Sequence, residues 1–168
     1  TRATIAMEKG LEGLANIIVA QEADKPIKEY AVEYISEEKE VKSAEEAIAG
    51  AMDIIAEQIS DDASYRSYIR DITMREGLVS SVAKDEKAES VYEMYYNFEE
   101  AVEKIAGHRI LAINRGEKEK FLTVKVLAPE ERILRFLEKK VIVNDNTHTN
   151  DILAATIADS YKRLIAPA

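Results

Sequence analysis

Apolar residues recur every three to four positions along most of this chain, and that spacing places them on one face of an α-helix. Leu11, Leu14 and Ile18 show the pattern clearly, after Gly10 separates them from a shorter helical pattern at 2–9. Further segments with this spacing lie at 27–35, 47–59, 65–72 and 152–164. Helices that carry one apolar stripe bury it against other helices. The sequence therefore predicts a mainly α fold, built as a multi-helix array.

Polar residues mark where two of these helices begin. Ser43 followed by Glu46 forms a capping box, in which each side chain accepts a hydrogen bond from the backbone of the other residue. Asp61 or Asp62 is expected to cap the next helix, which ends at Gly77. The sequence thus predicts two consecutive helices between residues 43 and 77.

The middle of the chain is less uniform. Residues 36–42 are polar and are predicted to form a solvated connection, whereas residues 78–84 fit either a short strand or a bent connector. A further helix is predicted at 87–105 from one apolar face: Val91, Met94, Tyr95, Phe98, Val102 and Ile105. The aromatic residues of this segment have acidic neighbours and no basic ones among them. We therefore assign them to core packing and not to base stacking.

The pattern changes after residue 106. Residues 109–114 and 121–127 are rich in β-branched and large apolar side chains and flank a polar stretch that contains Gly116, which predicts one small β-hairpin. A helix is predicted to begin at Pro129 and Glu130, and a last helix to follow the polar loop at 144–151. We accordingly divide the chain into a helical region at 1–105 and a hairpin with two helices at 106–168, packed on the same core.

The composition limits the cellular compartments in which we expect the protein. The chain has no cysteine, so it lacks a disulfide framework or a thiolate metal site, and no run of about 18 apolar residues is present. Its first twenty residues carry charged side chains where a signal peptide would be apolar. We expect a cytoplasmic protein with no membrane partner. Since residue 1 is Thr and the chain stops just after Pro167, we expect it to be a piece of a longer protein.

No pattern in the sequence indicates catalysis. His108 and His148 are the two histidines, forty positions apart, and each is expected to make a structural hydrogen bond. The motifs for dinucleotides, triphosphates, zinc proteolysis and α/β-hydrolase chemistry are all missing. We therefore predict no catalytic residue, no metal, no cofactor and no enzymatic activity.

Charge is distributed unevenly along the chain. The net charge is −9, but residues 1–60, 61–105 and 106–168 carry −7, −5 and +3. Contacts with nucleic acid come largely from basic side chains at phosphates, so the last segment contains the candidates: Arg109, Arg115, Lys118, Lys120, Lys125, Arg132 and Arg135. Glutamates alternate with them, which is also typical of a solvated or interdomain surface. A scaffold and a direct nucleic-acid-binding module through the hairpin at 109–125 both remain open.

Two stretches carry a family resemblance. RATIAMEKGLEGLANII at 2–18 and GHRILAINRGEKE at 107–119 resemble characteristic segments of the Tex family of bacterial transcription accessory proteins. The resemblance covers nearly the whole chain. This sequence differs from the family's usual pattern at Met7, Gly13 and Gly107.

The resemblance implies a multidomain protein that binds RNA or DNA chiefly through a C-terminal S1 domain. The present chain is similar to part of the family's N-terminal helical region, which precedes the domain with an RNase H-like fold. The resemblance implies a scaffold segment. Its partners would be the other domains of the same protein and the transcription machinery, and the full-length protein would bind the nucleic acid.

Overall fold

The computed structural model describes all 168 residues and contains eight α-helices and one three-stranded sheet. The helices are α1 Arg2–Glu8, α2 Glu12–Ala20, α3 Ile27–Ala31, α4 Ala44–Asp61, α5 Ala63–Glu76, α6 Gly107–Lys118, α7 Glu130–Val141 and α8 Asn150–Ser160. The strands are β1 Leu78–Ala83, β2 Asn97–Ala101 and β3 Leu122–Leu127. The predicted mainly α class is confirmed. No helix combines the length and the apolar character needed to cross a bilayer.

The chain divides into two compact units. The first, which we call the helical unit, contains Thr1–Arg66 and Glu131–Ala168, and the second, the sheet unit, contains Ser67–Glu130. The residue 105/106 division considered above falls inside the sheet unit. The helical unit is thus assembled from two segments that are far apart in the sequence.

Helix α4 provides the central surface of the helical unit. Its residues Ala47, Ala51 and Ile55 are fully buried, because apolar side chains at helical spacing form one continuous stripe. Gly50 in the same helix has no side chain, and a Cβ atom there would collide with Leu11. The small residues of α4 therefore allow the α1–α2 connection to pack closely against it.

The helix starts predicted at 43 and 61–62 are confirmed in position. The Ser43 hydroxyl accepts a hydrogen bond from the Glu46 N–H at 3.1 Å, and the Glu46 carboxylate accepts one from the Lys42 N–H at 2.9 Å. The second bond of the capping box is therefore displaced by one residue. At the next helix it is Asp62 that accepts from the Tyr65 N–H, at 3.1 Å, as expected for a side chain that replaces a missing helical acceptor.

Gln21 connects the two sequence segments of the helical unit. Its backbone is left-handed, with φ at 56°, and ends α2. Its buried amide group donates to the Val141 carbonyl at 2.8 Å and accepts from the N–H groups of Val143 and Asn144 at 3.0 and 3.1 Å. One buried side chain thus pairs with three backbone groups at the end of α7 and joins the two segments of the helical unit.

The sheet unit is built on β1, which pairs antiparallel with β2 on one side and with β3 on the other. The alternative left open for residues 78–84 is therefore decided in favour of a strand. The Ser81 hydroxyl is buried and donates to the Tyr95 carbonyl at 2.8 Å, which fixes the segment before β2 against the sheet. A cluster of four buried side chains fills the space between the sheet and α6: Tyr92, Tyr95, Ile113 and Leu122.

The helix predicted at 87–105 is wrong. A short 3-10 turn at Glu93–Tyr95 leads into β2 at Asn97–Ala101. The apolar residues of the segment do follow a helical spacing, but they do not share one buried face, because Val91 and Met94 are 85% and 63% exposed. Pairing with β1 brings Tyr95 and Phe98 into contact with the core of the sheet unit, so tertiary contacts override the local pattern.

The hairpin predicted at 109–127 is also wrong in its first half. Residues 109–114 belong to α6, and β3 pairs with β1 instead of with them. Gly116 does not form a turn. It lies inside α6, where a Cβ atom would come 2.5 Å from Leu122 Cδ1 and 3.2 Å from Tyr92 Cδ1. The glycine therefore serves close packing of α6 on the core, and the sequence pattern of a turn misidentifies it.

Candidate nucleic-acid interface

Three of the predicted basic residues lie together at the C-terminal end of α6. Arg115 and Lys118 are exposed in the last turns of the helix, where cations complement the negative end of its dipole. Lys120 follows with a left-handed backbone, φ 68°. The N–H groups of Lys120 and Phe121 donate back to the carbonyls of Glu117 and Gly116 at 3.1 and 2.9 Å, which is the hydrogen-bond pattern of a Schellman cap. A cap, not a hairpin turn, determines where these three side chains are presented.

Acidic residues are interleaved with this group. Glu117 is exposed, and Glu119 accepts a hydrogen bond from the Tyr92 hydroxyl. That hydrogen bond, helped by burial, raises the pKa of Tyr92 above its ordinary value. Glu119 therefore already has a partner and is held close to the basic residues. The end of α6 carries three positive and two negative side chains within six positions. The resulting excess of one positive charge provides only weak attraction for phosphates.

Arg109 lies at the other end of α6 and has a different environment. Its guanidinium group lies over the Phe98 ring of β2, 5.6 Å from the ring centre. Such a cation–π contact favours a half-buried arginine that bridges helix and sheet. The structure thus gives Arg109 a packing role and separates it from Arg115 by nearly two helical turns.

Lys125 lies on the opposite face of the sheet from α6. Side chains alternate along β3, and Leu122 and Val124 belong to the core that α6 covers. Lys125 consequently points to the other face, in one row with Ser80 of β1 and Glu99 of β2. The structure does not bring Lys125 together with the basic residues of α6.

The last two candidates, Arg132 and Arg135, are exposed on α7 and belong to the helical unit. They lie three residues apart, on one side of a helix whose Ile133 and Leu137 are fully buried. The same helix places Lys140 over the Phe136 ring, 5.9 Å from its centre. The seven candidates are therefore distributed over two units, and within the sheet unit over three separate locations.

The two histidines lie in different elements, one in α6 and the other in the loop before α8. His108 is exposed in the first turn of α6. The backbone N–H of His148 donates to the Asn146 side chain at 3.0 Å in the loop before α8. No group of three or more side chains of the types that bind metals is assembled in the structure.

A groove that sequence reasoning missed lies on the helical unit. It has a volume of about 500 Å³, and its apolar floor includes Ala6, Leu11 and Gly50. Three basic and three acidic side chains line it: Arg2, Lys9, Lys42, Glu40, Glu46 and Asp53. The opposite charges balance, so the lining has no positive excess for phosphates. The net charge of −7 in residues 1–60 does not reveal that three basic side chains meet in this groove.

Asp53 connects this groove to the end of the chain. Arg163 lies 3.7 Å from the Asp53 carboxylate and 3.0 Å from that of Asp159. Burial raises the pKa of Asp53, while the positive charges of Arg163 and Arg2 oppose that shift. Arg163 lies in a short π-helical stretch, Tyr161–Ile165, which extends α8. This ion-pair network holds the last residues against α4 and is occupied by the protein itself.

A sequence model described as Tex central region-like matches residues 21–163 of the chain. The chain belongs to this family. The resemblance predicted from the segments at 2–18 and 107–119 is thereby confirmed, and the second of those segments corresponds to α6 and its cap.

Relatives of this chain are found in bacteria and in animals. It is 50% identical over its whole length to the uncharacterized protein YdcI of Bacillus subtilis, and covers 24% of that protein. It is 35% identical to protein tex of Bordetella pertussis over 75% of the chain and 16% of the relative. It is 32% identical to the human S1 RNA-binding domain-containing protein 1 over 99% of the chain and 18% of the relative. The chain thus spans a quarter or less of the length of these relatives.

Proposed function

We propose that this chain is a non-enzymatic scaffold segment of a Tex-like transcription accessory protein whose full-length form binds RNA or DNA. Its role is to hold the other domains of the same polypeptide in place. The transcription machinery is the further partner we expect, and the cytoplasm its compartment. The names of the relatives, protein tex and S1 RNA-binding domain-containing protein, support the link to transcription and RNA.

The observation that carries this proposal is the dispersal of the basic residues. Arg115, Lys118 and Lys120 share the end of α6 with two glutamates, while Lys125 lies on the other face of the sheet. Affinity for nucleic acid rises with the number of phosphates neutralised together. Three cations beside two anions supply little of that affinity, so a supporting role fits this surface better than a binding role.

The helical unit supplies a second line of support. Its core is continuous and apolar, with Leu14, Ile18 and Ile55 almost completely buried. The groove beside α4 has balanced charges. A continuous apolar core is what a positioning segment requires.

Fluorescence anisotropy tests the proposal directly. The chain would be titrated against labelled single-stranded RNA and duplex DNA at about 50 and 200 mM salt, where binding driven by phosphates differs strongly. We expect no binding by the isolated chain at either salt concentration. In the full-length protein, we expect the affinity to remain within about twofold when Arg115, Lys118 and Lys120 are all changed to Gln, because few phosphate contacts are lost.

The chain offers a matched control for that triple variant. Lys84, Lys87 and Lys104 are also exposed in the sheet unit, and their change to Gln removes the same charge. The alternative function, a direct nucleic-acid-binding module at the end of α6, predicts salt-dependent binding by the isolated chain. It also predicts that the first triple variant loses this binding and the control variant keeps it. That result would replace the scaffold proposal.

A further inference from the structure

The sheet has two edges, and they differ in chemistry. β2 is one edge and carries Glu99 and Glu100, followed by Glu103. β3 is the other edge and has the sequence LTVKVL, with one cation and no acid. Edge strands expose unpaired backbone groups, and charged side chains are a common protection against pairing with another strand. The β3 edge is therefore the less protected of the two.

The register identifies which backbone groups of β3 are open. The Lys84 N–H donates to the Phe121 carbonyl at 3.0 Å, so 84 and 121 form a hydrogen-bonded pair. In an antiparallel ladder such pairs alternate with non-hydrogen-bonded ones. Thr123, Lys125 and Leu127 consequently direct their N–H and C=O groups to β1. The backbone groups of Val124 and Val126 point away from the sheet.

The side chains along this edge are also exposed. Val126 is 57% exposed and Leu127 is 41% exposed, although both are large and apolar. A strand added beside β3 would cover them and extend the sheet. Its backbone would pair with the open groups of Val124 and Val126, which gives affinity, while its side chains would give specificity.

Lys125 indicates which charge is favoured on a strand that pairs with β3. On the face opposite α6, Glu99, Ser80 and Lys125 form one row across the three strands. A fourth strand would place a side chain next to Lys125 in a non-hydrogen-bonded pair, where side chains approach most closely. An acidic side chain is favoured there, and apolar side chains are favoured on either side of it, opposite Val124 and Val126.

We propose that the open edge of β3 binds an extended segment of a partner protein in which apolar and acidic side chains alternate. A second copy of this chain fits the edge less well. β3 contains no acid, so self-pairing would place Lys125 opposite another Lys125 or an uncharged side chain. This interface is independent of the nucleic-acid question, because it depends on the backbone of β3 and not on the end of α6.

Residue-specific amide exchange by NMR tests the geometry. In the free chain we expect slow exchange at Thr123 and Lys125 and fast exchange at Val124 and Val126. Addition of a seven-residue peptide with alternating valine and glutamate should slow exchange at Val124 and Val126 and leave the other two unchanged. Unaltered exchange at both valines in excess peptide would overturn the proposal. Protection that appears without peptide and grows with protein concentration would also overturn it, in favour of self-pairing.

Two variants test the two components of recognition by fluorescence anisotropy with the same peptide, labelled. Val126→Pro removes an open N–H and retains the ladder with β1, because proline is tolerated where the N–H of an edge strand faces solvent. We expect it to abolish binding. Retained protection at Thr123 and Lys125 would verify that the sheet is intact.

Charge reversal tests the specificity. Lys125→Glu should lower the affinity for the valine–glutamate peptide by about five- to tenfold and favour a valine–lysine peptide. Lys104→Glu makes the same charge change at an exposed residue beyond β2 and should leave both affinities unchanged. Equal affinity of the native chain for the two peptides, or equal effects of the two variants, would contradict the assigned role of Lys125.

Discussion

The helical unit and the sheet unit bury their apolar side chains in different ways. The helical unit has a continuous aliphatic core in which Leu14, Ile18 and Ile55 are at most 1% exposed. The sheet unit has a smaller core with six large buried side chains, two of them tyrosines: Ile69, Ile72, Tyr92, Tyr95, Ile113 and Leu122. Fewer buried side chains therefore share the stability of the sheet unit than that of the helical unit. Regions with few buried contacts open first.

The units also differ in the acceptors that their core side chains use. In the helical unit, Gln21 pairs with three backbone groups at the end of α7, and the buried Ser160 hydroxyl donates to the Ala56 carbonyl. In the sheet unit, Ser81 likewise donates to a backbone carbonyl, whereas Tyr92 donates to the carboxylate of Glu119. The sheet unit consequently couples its core to an ionisable group.

Loss of one core side chain in the sheet unit should have the largest effect. Leu122 is completely buried between α6 and the sheet, so Leu122→Ala is expected to cost about 2–5 kcal/mol of unfolding free energy. Hydrogen exchange with mass spectrometry should show lost protection in residues 67–130 and retained protection in the helical unit. Leu111→Ala on the exposed side of α6 is the control, with a change within about 0.5 kcal/mol. Equal loss of protection in both units would refute the proposed difference between them.

Removal of the Gln21 amide should give the next largest effect, now in the helical unit. Gln21→Ala removes three hydrogen bonds between a buried side chain and the backbone at 141–144, at a cost of about 1–3 kcal/mol. Urea denaturation measures the change. Gln58→Ala, an exposed glutamine of α4, should change stability by less than about 0.5 kcal/mol. Similar values for the two variants would mean that Gln21 does not hold the two segments together.

A substitution at Gly116 tests whether this glycine is needed for the close packing of α6 in the sheet unit. Gly116→Ala gains about 1 kcal/mol of helix propensity but forces a methyl group against Leu122. Overpacking of about 1–3 kcal/mol should exceed that gain, so a net destabilisation is expected in thermal denaturation. Gly107→Ala is the matched control, because nothing lies within 4 Å of a Cβ at that position. A stabilised Gly116→Ala variant would contradict the packing role.

The smallest effect concerns pH and should be confined to the sheet unit. The hydrogen bond to Glu119 raises the pKa of Tyr92 above 10.0 in the folded state. Its contribution to stability is thus complete below about 10 and is lost as the pH rises through the higher folded value. We expect Tyr92→Phe to abolish this alkaline loss and Glu119→Gln to make it smaller, in denaturation measured between about pH 8 and 11. Unchanged profiles for both variants would disprove the coupling.

Local patterns predicted the helical unit well and the sheet unit poorly. The helix starts at Ser43 and at 61–62 were correct in the sequence because a cap depends on residues within one turn. In the sheet unit, a helical pattern at 87–105 became a 3-10 turn and β2, and the strand-like residues at 109–114 became part of α6. Each error concerns a segment whose partner lies far away in the sequence.

The candidate interface shows the same limit. The sequence identified the basic residues but not their distribution, since alternation along β3 depends on which face α6 covers. The helix of 107–118 separates Arg109 from Arg115 by nearly two turns, whereas a hairpin would have aligned them differently. Neither the hydrogen bond between Tyr92 and Glu119 nor the groove beside α4 has a signal in the sequence.

The sequence by itself determined the mainly α class, the limits of most helices in the helical unit and the family of the chain. These features follow from helical periodicity, from caps and from characteristic segments, all of which act over short distances. Tertiary structure alone decided the strand order, the packing role of Gly116, the dispersal of the cations and the open edge of β3. The physical reason is that strand pairing and close packing are contacts between distant residues, and their free energy exceeds the local preference of either segment.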